Sequence, residues 1–427
     1  MNILKNKLFG KILISVISLV VISSCASKKI EKTITQQNKT NNYFRGLVVY
    51  NTKNGKEIIN YNGNKYFTPA SNTKLFTFYT SYKTFKDSVI GLKYFKNSDS
   101  LIIKGTADPS LLYVFKKNKT IDFLKNTNQN IYLVDENIAE PNFGSGWSWD
   151  DYAYYYMPEK SQFPIYGNLV ELTKKSDSIF VVPNFFTKYV EINNDIKIRR
   201  DYDDNHFYVR SSDSFEKRQI PFKTSNQLAA DLLGEEIGKK IVVIKPKKEY
   251  SFKPFYSVSY DSLYKEMLTI SDNFIAEQLM LQVGNEVDSV YSVKRAIDYS
   301  LKNYLYDIPQ KPRWVDGSGL SRYNLFTPES LVFLLKKMYK EIPYEKLLSY
   351  FPVGGESGTL KNYYGNDKPF IYAKSGTLSN NYNLSGYLIT KKGTVLIFSY
   401  MNNHYQGSSS GRKKEMEEIF LKLYNTL

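Results

Sequence analysis

Ser71 and Lys74 stand three residues apart in the stretch TPASNTKLFT, and together they could act as a serine nucleophile and its lysine base. On a helix, this spacing places both side chains on one face. A serine at a helix N-terminus also meets the positive end of the helix dipole, which stabilises developing negative charge. The lysine must be neutral to accept a proton, so its pKa must be lowered by burial or by a neighbouring cation.

The S-x-x-K spacing alone does not identify a nucleophile, because it occurs at three other places in the chain. These are Ser214/Lys217, Ser262/Lys265 and Ser410/Lys413. For Ser71 itself, the alternative interpretation is an ordinary polar helix start. The other motifs of the chain must therefore decide between the two.

The chain offers few residues for catalysis by histidine or by a bound metal. The chain has only two histidines, His206 and His404, and neither has a neighbouring serine that would suggest a Ser-His-Asp triad. Their separation does not match the H-x-x-x-H spacing of a zinc site. A single cysteine excludes internal disulfides and multi-cysteine metal sites. An acyl hydrolase built from this chain would need lysine as its base, and we expect no metal or cofactor.

Two further motifs follow in the order that an active-serine site requires. The triplet SDN at 271–273 precedes a predicted helix, and KSG at 374–376 precedes a predicted strand. Taken singly, the first could be a helix N-cap and the second a turn. The trio S-x-x-K, S-D-N and K-[ST]-G, in this order, is the signature of penicillin-binding proteins and related β-lactamases.

The chain after its first 42 residues resembles the low-molecular-mass class C penicillin-binding proteins, the D-alanyl-D-alanine carboxypeptidase/endopeptidase family. The matching segments are PASNTKLFT at Pro69, KGTADPSLL at Lys104, GSGWSWDDYAYYY at Gly144, SDNFIAEQL at Ser271, DGSGLSRYN at Asp316, FPVGGESGTL at Phe351 and AKSGTLSNNYNLSGYL at Ala373. One departure is Ser375, where the family often has threonine; the hydroxyl is kept.

The resemblance implies an α/β fold of the penicillin-binding-protein and β-lactamase type, with an antiparallel five-stranded sheet flanked by helices. Residues 43–87 and 254–427, which carry predicted hairpins and helices, would form the active-serine domain. Residues 88–253 are strand-rich and irregular and would form an inserted region. The family carries such insertions between its first two motifs, and here Ser71 and Ser271 are separated by 271 − 71 = 200 positions.

The resemblance also implies a role for each motif residue. Ser71 would attack the substrate carbonyl, and Lys74 would take its proton. Ser271 would relay the proton to the leaving amine, while Asn273 would orient the substrate amide. Lys374 would keep the local field positive, and we expect its charge to lower the pKa of Lys74.

Substrate binding would fall to the residues around the third motif. Lys374, with the hydroxyls of Ser375 and Thr377, would hold the terminal carboxylate of the substrate, and Gly376 belongs to the same substrate-binding segment. Backbone N–H groups of Ser71 and Thr377 would form the oxyanion hole. The residues DGSGLS at 316–321 are expected either to line the site or to form a tight turn, and WSWDD at 147–151 to build the inserted region or a wall of the cleft.

The implied activity is that of a serine D-Ala-D-Ala carboxypeptidase, a DD-endopeptidase, or both, acting on peptidoglycan stem peptides. β-Lactams would acylate Ser71 and inhibit it. One alternative is a β-lactamase on the same scaffold, against which the large insertion argues. The other is an inactive cell-wall-binding lipoprotein, against which the intact motif residues argue. No pattern in the chain indicates its oligomeric state.

The first 25 residues predict export and a lipid anchor. Residues 1–24 have a basic start and an apolar run from Ile12 to Ile22, which is too short to span a membrane and typical of a signal peptide. Cys25, the one cysteine, follows directly, as in a bacterial lipobox; a plain secretory signal is the alternative. Polar residues 25–42 would form a flexible tether. We expect a periplasmic lipoprotein, anchored in the outer membrane.

Composition agrees with a folded protein that contacts anionic surfaces. Hydrophobic residues make up 42% of the 427 positions, which is enough for a buried core. The net charge of +16 favours contact with anionic lipid, cell-wall polymer or nucleic acid. Because no clustered basic helix or RNA-binding signature occurs, we do not expect a nucleic-acid partner.

Overall fold

The computed structural model describes residues 42–115, 119–176, 178–245 and 250–427. The predicted signal peptide, Cys25 and most of the predicted tether lie outside the described residues. The strands are β1 (Phe44–Asn51), β2 (Lys56–Tyr61), β3 (Ser88–Lys96), β4 (Ser100–Lys104), β5 (Asn130–Val134), β6 (Leu169–Lys175), β7 (Ser178–Val182), β8 (Val190–Ile192), β9 (Phe207–Val209), β10 (Lys217–Pro221), β11 (Ile241–Ile244), β12 (Lys253–Ser259), β13 (Ile371–Leu378), β14 (Asn381–Ile389) and β15 (Val395–Asn403).

The helices of the described residues are in most cases capped by the side chain of the residue before them. They are α1 (Thr73–Thr84), α2 (Lys119–Lys125), α3 (Asn226–Ile237), α4 (Tyr260–Thr269), α5 (Asn273–Asp288), α6 (Val293–Asn303), α7 (Pro328–Glu341), α8 (Tyr344–Ser349) and α9 (Ser409–Thr426). For example, the Thr327 side chain accepts the Ser330 N–H, and proline occupies the first position of α7. In the part of the chain described, no helix combines the length and apolarity needed to cross a bilayer.

The two ends of the chain share one antiparallel sheet, in the order β13-β14-β15-β1-β2. The N-terminal hairpin joins the C-terminal strands through β1 and β15, whose register runs from Phe44 opposite Asn403 to Asn51 opposite Leu396. This is the five-stranded antiparallel sheet that the resemblance implies.

Helices cover both faces of this sheet. Side chains on a strand alternate between faces, and in β15 Ile397 packs with the helical core that includes Leu75 of α1 and Leu279 of α5. Its neighbour Phe398 faces the other way and packs on Phe420 of α9. The predicted fold, a sheet flanked by helices, is confirmed.

The middle of the chain has a hydrophobic core of its own and is strand-rich, as expected. One sheet has the order β11-β5-β4-β3-β12, and a smaller one the order β10-β6-β7. Its core includes Leu101, Leu133 and Leu233, and it is separate from the two cores that flank the first sheet. Because β12 pairs with β3, the middle region's sheet extends to Ser259, beyond the predicted boundary at 253.

Candidate active site

Ser71 lies in a single 3₁₀ turn, Ala70–Asn72, that leads directly into α1. Ala70 has a left-handed backbone conformation (φ 49°), which is uncommon for a residue with a side chain. The turn is held against a second loop, because a Cβ on Gly319 would lie 2.0 Å from the Ala70 carbonyl oxygen. Ser71 is half-buried and faces the cleft described below. Ser71 was predicted at the start of a helix, and the structure places it in the turn immediately before that helix.

Lys74 is fully buried and has three oxygen atoms around its amine. Nζ donates to Ser71 Oγ at 3.0 Å, to Asn273 Oδ1 at 2.5 Å and to the Ser318 carbonyl oxygen at 2.6 Å. Three acceptors match the three protons of an ammonium group. Loss of one proton leaves a lone pair, which can face Ser71 Oγ while the other two bonds persist.

Burial lowers the pKa of Lys74 to about 8, against an opposing influence from Asp316, Asp272 and Glu277. Burial, and next the charge of Lys74, lower the pKa of Lys374 well below its usual value. The expectation that Lys374 lowers the pKa of Lys74 is thus wrong about the cause. Burial disfavours the charged form of Lys374 as it does that of Lys74, and the shift at Lys74 comes from its own burial.

The residue that caps helix α5 is Asp272, and Ser271 is not part of the cap. Asp272 is the N-cap of α5, and its carboxylate accepts the Ile275 N–H at 2.8 Å and the Tyr113 hydroxyl at 2.7 Å. Ser271 precedes the cap in a left-handed conformation (φ 66°). Its Oγ is therefore free of the helix and accepts a hydrogen bond from Lys374 Nζ at 2.8 Å.

Asn273 links the lysine of the first motif to the middle region. Its Oδ1 accepts from Lys74, and its Nδ2 donates to the Tyr156 carbonyl oxygen at 2.8 Å. The amide oxygen and nitrogen are thereby assigned by their partners. The side-chain oxygen of Asn273 therefore contacts the base, Lys74, and its side-chain nitrogen contacts the wall of the cleft.

The KSG motif lies inside β13 rather than before a strand, which corrects the expected placement. Lys374 is buried, and the hydroxyl of Ser375 donates to Thr359 Oγ1 at 2.7 Å. Gly376 must be glycine for a steric reason, since a Cβ there would lie 2.5 Å from the carbonyl oxygen of Pro69. The edge strand therefore rests directly on the turn that carries Ser71. Thr377 follows and is exposed to the cleft.

These residues open onto one cleft of about 770 Å³. Motif residues that line it are Ser71, Ser271, Asn273, Ser375 and Thr377; other lining residues include Trp147, Asp150, Asp151, Tyr155, Tyr156, Arg322 and Lys413. The WSWDD segment is a wall of this cleft, which was one of its two expected positions. The structure thus brings together every predicted catalytic residue and the predicted carboxylate-binding residues.

The loop at 316–321 supports the site, but the side chain of Asp316 does not line the cleft. This buried carboxylate accepts from the Trp147 indole N–H at 2.9 Å and from the Ser321 N–H at 2.6 Å. Ser318 contributes its carbonyl oxygen to Lys74, and its N–H donates to Glu277 Oε1 at 2.7 Å. Glu277 was not predicted, although its position four residues after Asn273 places both on one face of α5.

Comparisons with known proteins agree with this geometry. The family model described as the D-Ala-D-Ala carboxypeptidase 3 (S13) family matches residues 26–423. The D-alanyl-D-alanine carboxypeptidase DacB of Haemophilus influenzae is 24% identical, over 90% of each chain. The penicillin-sensitive carboxypeptidase A of Dictyostelium discoideum is 25% identical, over 80% of this chain and 78% of its own.

The fold agrees with a solved structure as well. The crystal structure of penicillin-binding protein 4 from Haemophilus influenzae superposes with a TM-score of 0.70, at 21% identity, over 89% of this chain and 95% of that one. Because the family model spans nearly all of the described residues and all three motifs, the chain belongs to the D-Ala-D-Ala carboxypeptidase 3 (S13) family.

Proposed function

We propose that this protein is a serine D-Ala-D-Ala carboxypeptidase that acts on peptidoglycan stem peptides through an acyl-enzyme on Ser71. The observation that carries the proposal is the arrangement of two lysine–serine pairs on one cleft. Lys74 contacts Ser71, and Lys374 contacts Ser271. One pair suits activation of a nucleophile, and the other holds the Ser271 hydroxyl, which can pass a proton to the leaving group.

Acylation forms a bond between Ser71 Oγ and the carbonyl carbon of the penultimate D-alanine, while the Ser71 proton passes to neutral Lys74. Collapse of the tetrahedral intermediate breaks the C–N bond. The leaving amine takes a proton that comes from Lys74 through Ser271. Water then attacks the ester, Lys74 accepts a proton from the water, and Ser71 is released with its own proton restored.

The remaining motif residues would orient the substrate. Asn273 accepts a hydrogen bond from Lys74 through its side-chain oxygen, and this contact fixes the position of the base. In the proposed complex, Ser375 and Thr377 offer hydroxyls to the terminal carboxylate, and Gly376 allows the close approach of strand and turn. Backbone N–H groups of Ser71 and Thr377 would hold the oxyanion.

β-Lactams would acylate the same serine, because they present a reactive amide with a carboxylate beside it. The opened ring stays attached, so the leaving amine cannot diffuse away and water is excluded. The Dictyostelium relative is named as penicillin-sensitive, which supports this part of the proposal.

Covalent labelling with a fluorescent penicillin tests the proposal. We expect a stable adduct in the wild type and none in Ser71→Ala. An adduct that persists in Ser71→Ala would refute the role of Ser71, no adduct would favour an inactive wall-binding protein, and an adduct that turns over rapidly would favour a β-lactamase. Release of D-alanine from a pentapeptide, compared with cleavage of cross-linked muropeptides, then separates carboxypeptidase from endopeptidase activity.

We further propose that the protein is exported and carries lipid on Cys25, which would hold it at the periplasmic face of a membrane. The support is the position of the single cysteine directly after the apolar run Ile12–Ile22. The test is incorporation of labelled palmitate in the producing bacterium. Label in the wild type and none in Cys25→Ala is expected; equal labelling would contradict the anchor.

A further inference from the structure

Lys413, on the first turns of the C-terminal helix α9, is a cation at the wall of the cleft. It belongs to the S-x-x-K match at Ser410, which the catalytic site does not use. Its Nζ lies 4.3 Å from the centre of the Tyr363 ring and 5.2 Å from that of Tyr382. The side chain is half-buried, so its ammonium group is held between two aromatic rings rather than free in solvent.

Strand register places this ammonium beside the third motif. Tyr382 of β14 lies directly opposite Thr377 of β13. Side chains of directly paired residues in an antiparallel sheet project from the same face, with their Cβ atoms about 4.5–5.5 Å apart. Ser375, two residues earlier, projects from that face as well. The cation of Lys413 and the hydroxyls of Ser375 and Thr377 therefore share one face of the sheet at the cleft.

Lys413 has no carboxylate partner within the described residues. Its helix neighbour Arg412 is paired with Glu415 at 3.0 Å, but no comparable ion pair is formed by Lys413. Partial burial lowers the pKa of Lys413, because removal from water disfavours the charged form. An anion bound in the cleft would offset that cost, whereas the aromatic rings offset it only in part.

We propose that Lys413 is a specificity residue that binds the terminal carboxylate of the leaving D-amino acid. The cleft's other lining cation is Arg322, on a separate loop, and its carboxylates Asp150 and Asp151 come from the middle region. Lys413 alone among these groups stands on the sheet face of Thr377. The inference rests on the proposed function, because it assigns a partner to the leaving group of that reaction.

The test compares two substrates that differ only in the group Lys413 would bind. One is an N-acylated tripeptide ending in D-Ala-D-Ala with a free carboxylate, and the other is its terminal carboxamide. For Lys413→Met we expect kcat/KM on the carboxylate peptide to fall roughly ten- to a hundredfold, the range of a lost hydrogen bond to a charged group. On the carboxamide it should stay unchanged. Lys413→Arg should recover most of the loss.

The matched control is Lys414→Met, the adjacent and exposed lysine, which should leave both rates unchanged. Unchanged hydrolysis of the carboxamide by Lys413→Met also shows that the variant is folded. An equal loss on both peptides, or no loss on either, would overturn the role of Lys413 alone. A wild type that hydrolyses neither peptide would contradict the proposed function, and this inference with it.

Discussion

Lys374 Nζ donates a hydrogen bond of 2.8 Å to Ser271 Oγ, which joins the edge strand β13 to the loop before α5. Lys374 also donates to the Ser375 carbonyl oxygen at 2.6 Å, so its amine is held from two sides. Asp272, rather than Ser271, caps the helix, which leaves the Ser271 hydroxyl available for this bond. The contact places the Ser271 hydroxyl between a buried amine and the open cleft.

Ser271→Ala should therefore slow catalysis without weakening substrate binding. We expect kcat to fall by about 10²–10⁴, the usual contribution of a positioned proton-transfer group, with little change in KM. Steady-state hydrolysis of a D-Ala-D-Ala peptide measures both constants. A rise in KM at unchanged kcat would mean that Ser271 binds substrate instead.

Ser214→Ala is the matched control for this change. Ser214 belongs to another S-x-x-K match, with Lys217, but it is exposed in the middle region and is not among the residues that line the cleft. Its loss should leave kcat within twofold of the wild type, roughly the scatter of a neutral surface change. The comparison separates the role of Ser271 from the general effect of removing a serine hydroxyl.

Gly376→Ala should loosen the contact between β13 and the turn that carries Ser71. The new Cβ would meet the Pro69 carbonyl oxygen at 2.5 Å and Asn72 Nδ2 at 2.8 Å, so strand and turn must move apart. We expect a loss of about 1–3 kcal/mol in the free energy of unfolding, together with slower acylation by penicillin. Urea unfolding and stopped-flow acylation measure the two effects.

Gly411→Ala provides the control for the same chemical change. A Cβ at Gly411, near the start of α9, meets no atom within 4 Å. Alanine in a helix is favoured over glycine by about 0.5–1 kcal/mol, so this variant should be as stable as the wild type or slightly more so. Equal losses at both positions would rule out the steric account of Gly376.

Local pattern was enough to predict hairpins and helices in the two end segments, including the helix near Ser71 and the helix that follows SDN. Periodicity could not predict that β1 pairs with β15, since that contact joins the two ends of the chain. The shared sheet was expected only through the resemblance to a family. Pairing between distant strands depends on the whole core, which no local window contains.

The site was predicted best where a residue type and a motif coincide, as at Ser71 and Lys74. It was predicted less well where polar residues belong to regular structure. KSG gave no strand signal, because Lys374 and Gly376 lack the apolar side chains that mark a strand. The cause of the lowered Lys74 pKa was also missed, since burial of a side chain by distant elements leaves no mark on its own segment.

Asp316→Asn should destabilise the loop that supports Lys74. Asp316 accepts four hydrogen bonds, from the Gly319 N–H, the Asn324 amide, the Ser321 N–H and the Trp147 indole. An asparagine nitrogen would face two of these donors and satisfy neither. Each unsatisfied buried donor costs about 1–3 kcal/mol, so we expect urea unfolding to show a loss of several kcal/mol.

Trp147→Phe removes a single donor and leaves the carboxylate with three partners. It should cost less than Asp316→Asn, about 1 kcal/mol for one hydrogen bond. If Asp316→Asn is as stable as the wild type, or if Trp147→Phe costs as much, the four-donor arrangement does not hold the loop together.

Glu277→Gln should shift the pH dependence of the reaction to lower pH. Burial, and then the neighbouring Asp316, raise the pKa of Glu277 to about 7, and the ionised carboxylate in turn raises the pKa of Lys74. Lys74 must be neutral to act as a base, so wild-type kcat/KM should rise with pH up to about 8. Glutamine keeps an oxygen for the Ser318 N–H but removes the charge.

Without that charge, Lys74 loses its proton more readily, and the acidic limb of the kcat/KM profile moves toward lower pH. The effect is confined to pH values above about 7, where Glu277 is ionised in the wild type. If the pKa of Lys74 falls there by about one, the neutral fraction of Lys74 near pH 7.5 rises about threefold. Glu341→Gln is the control, because Glu341 pairs with Lys83 at 2.9 Å, away from the cleft. A limb that stays in place, or moves to higher pH in Glu277→Gln, would mean that a group other than Lys74 governs the reaction.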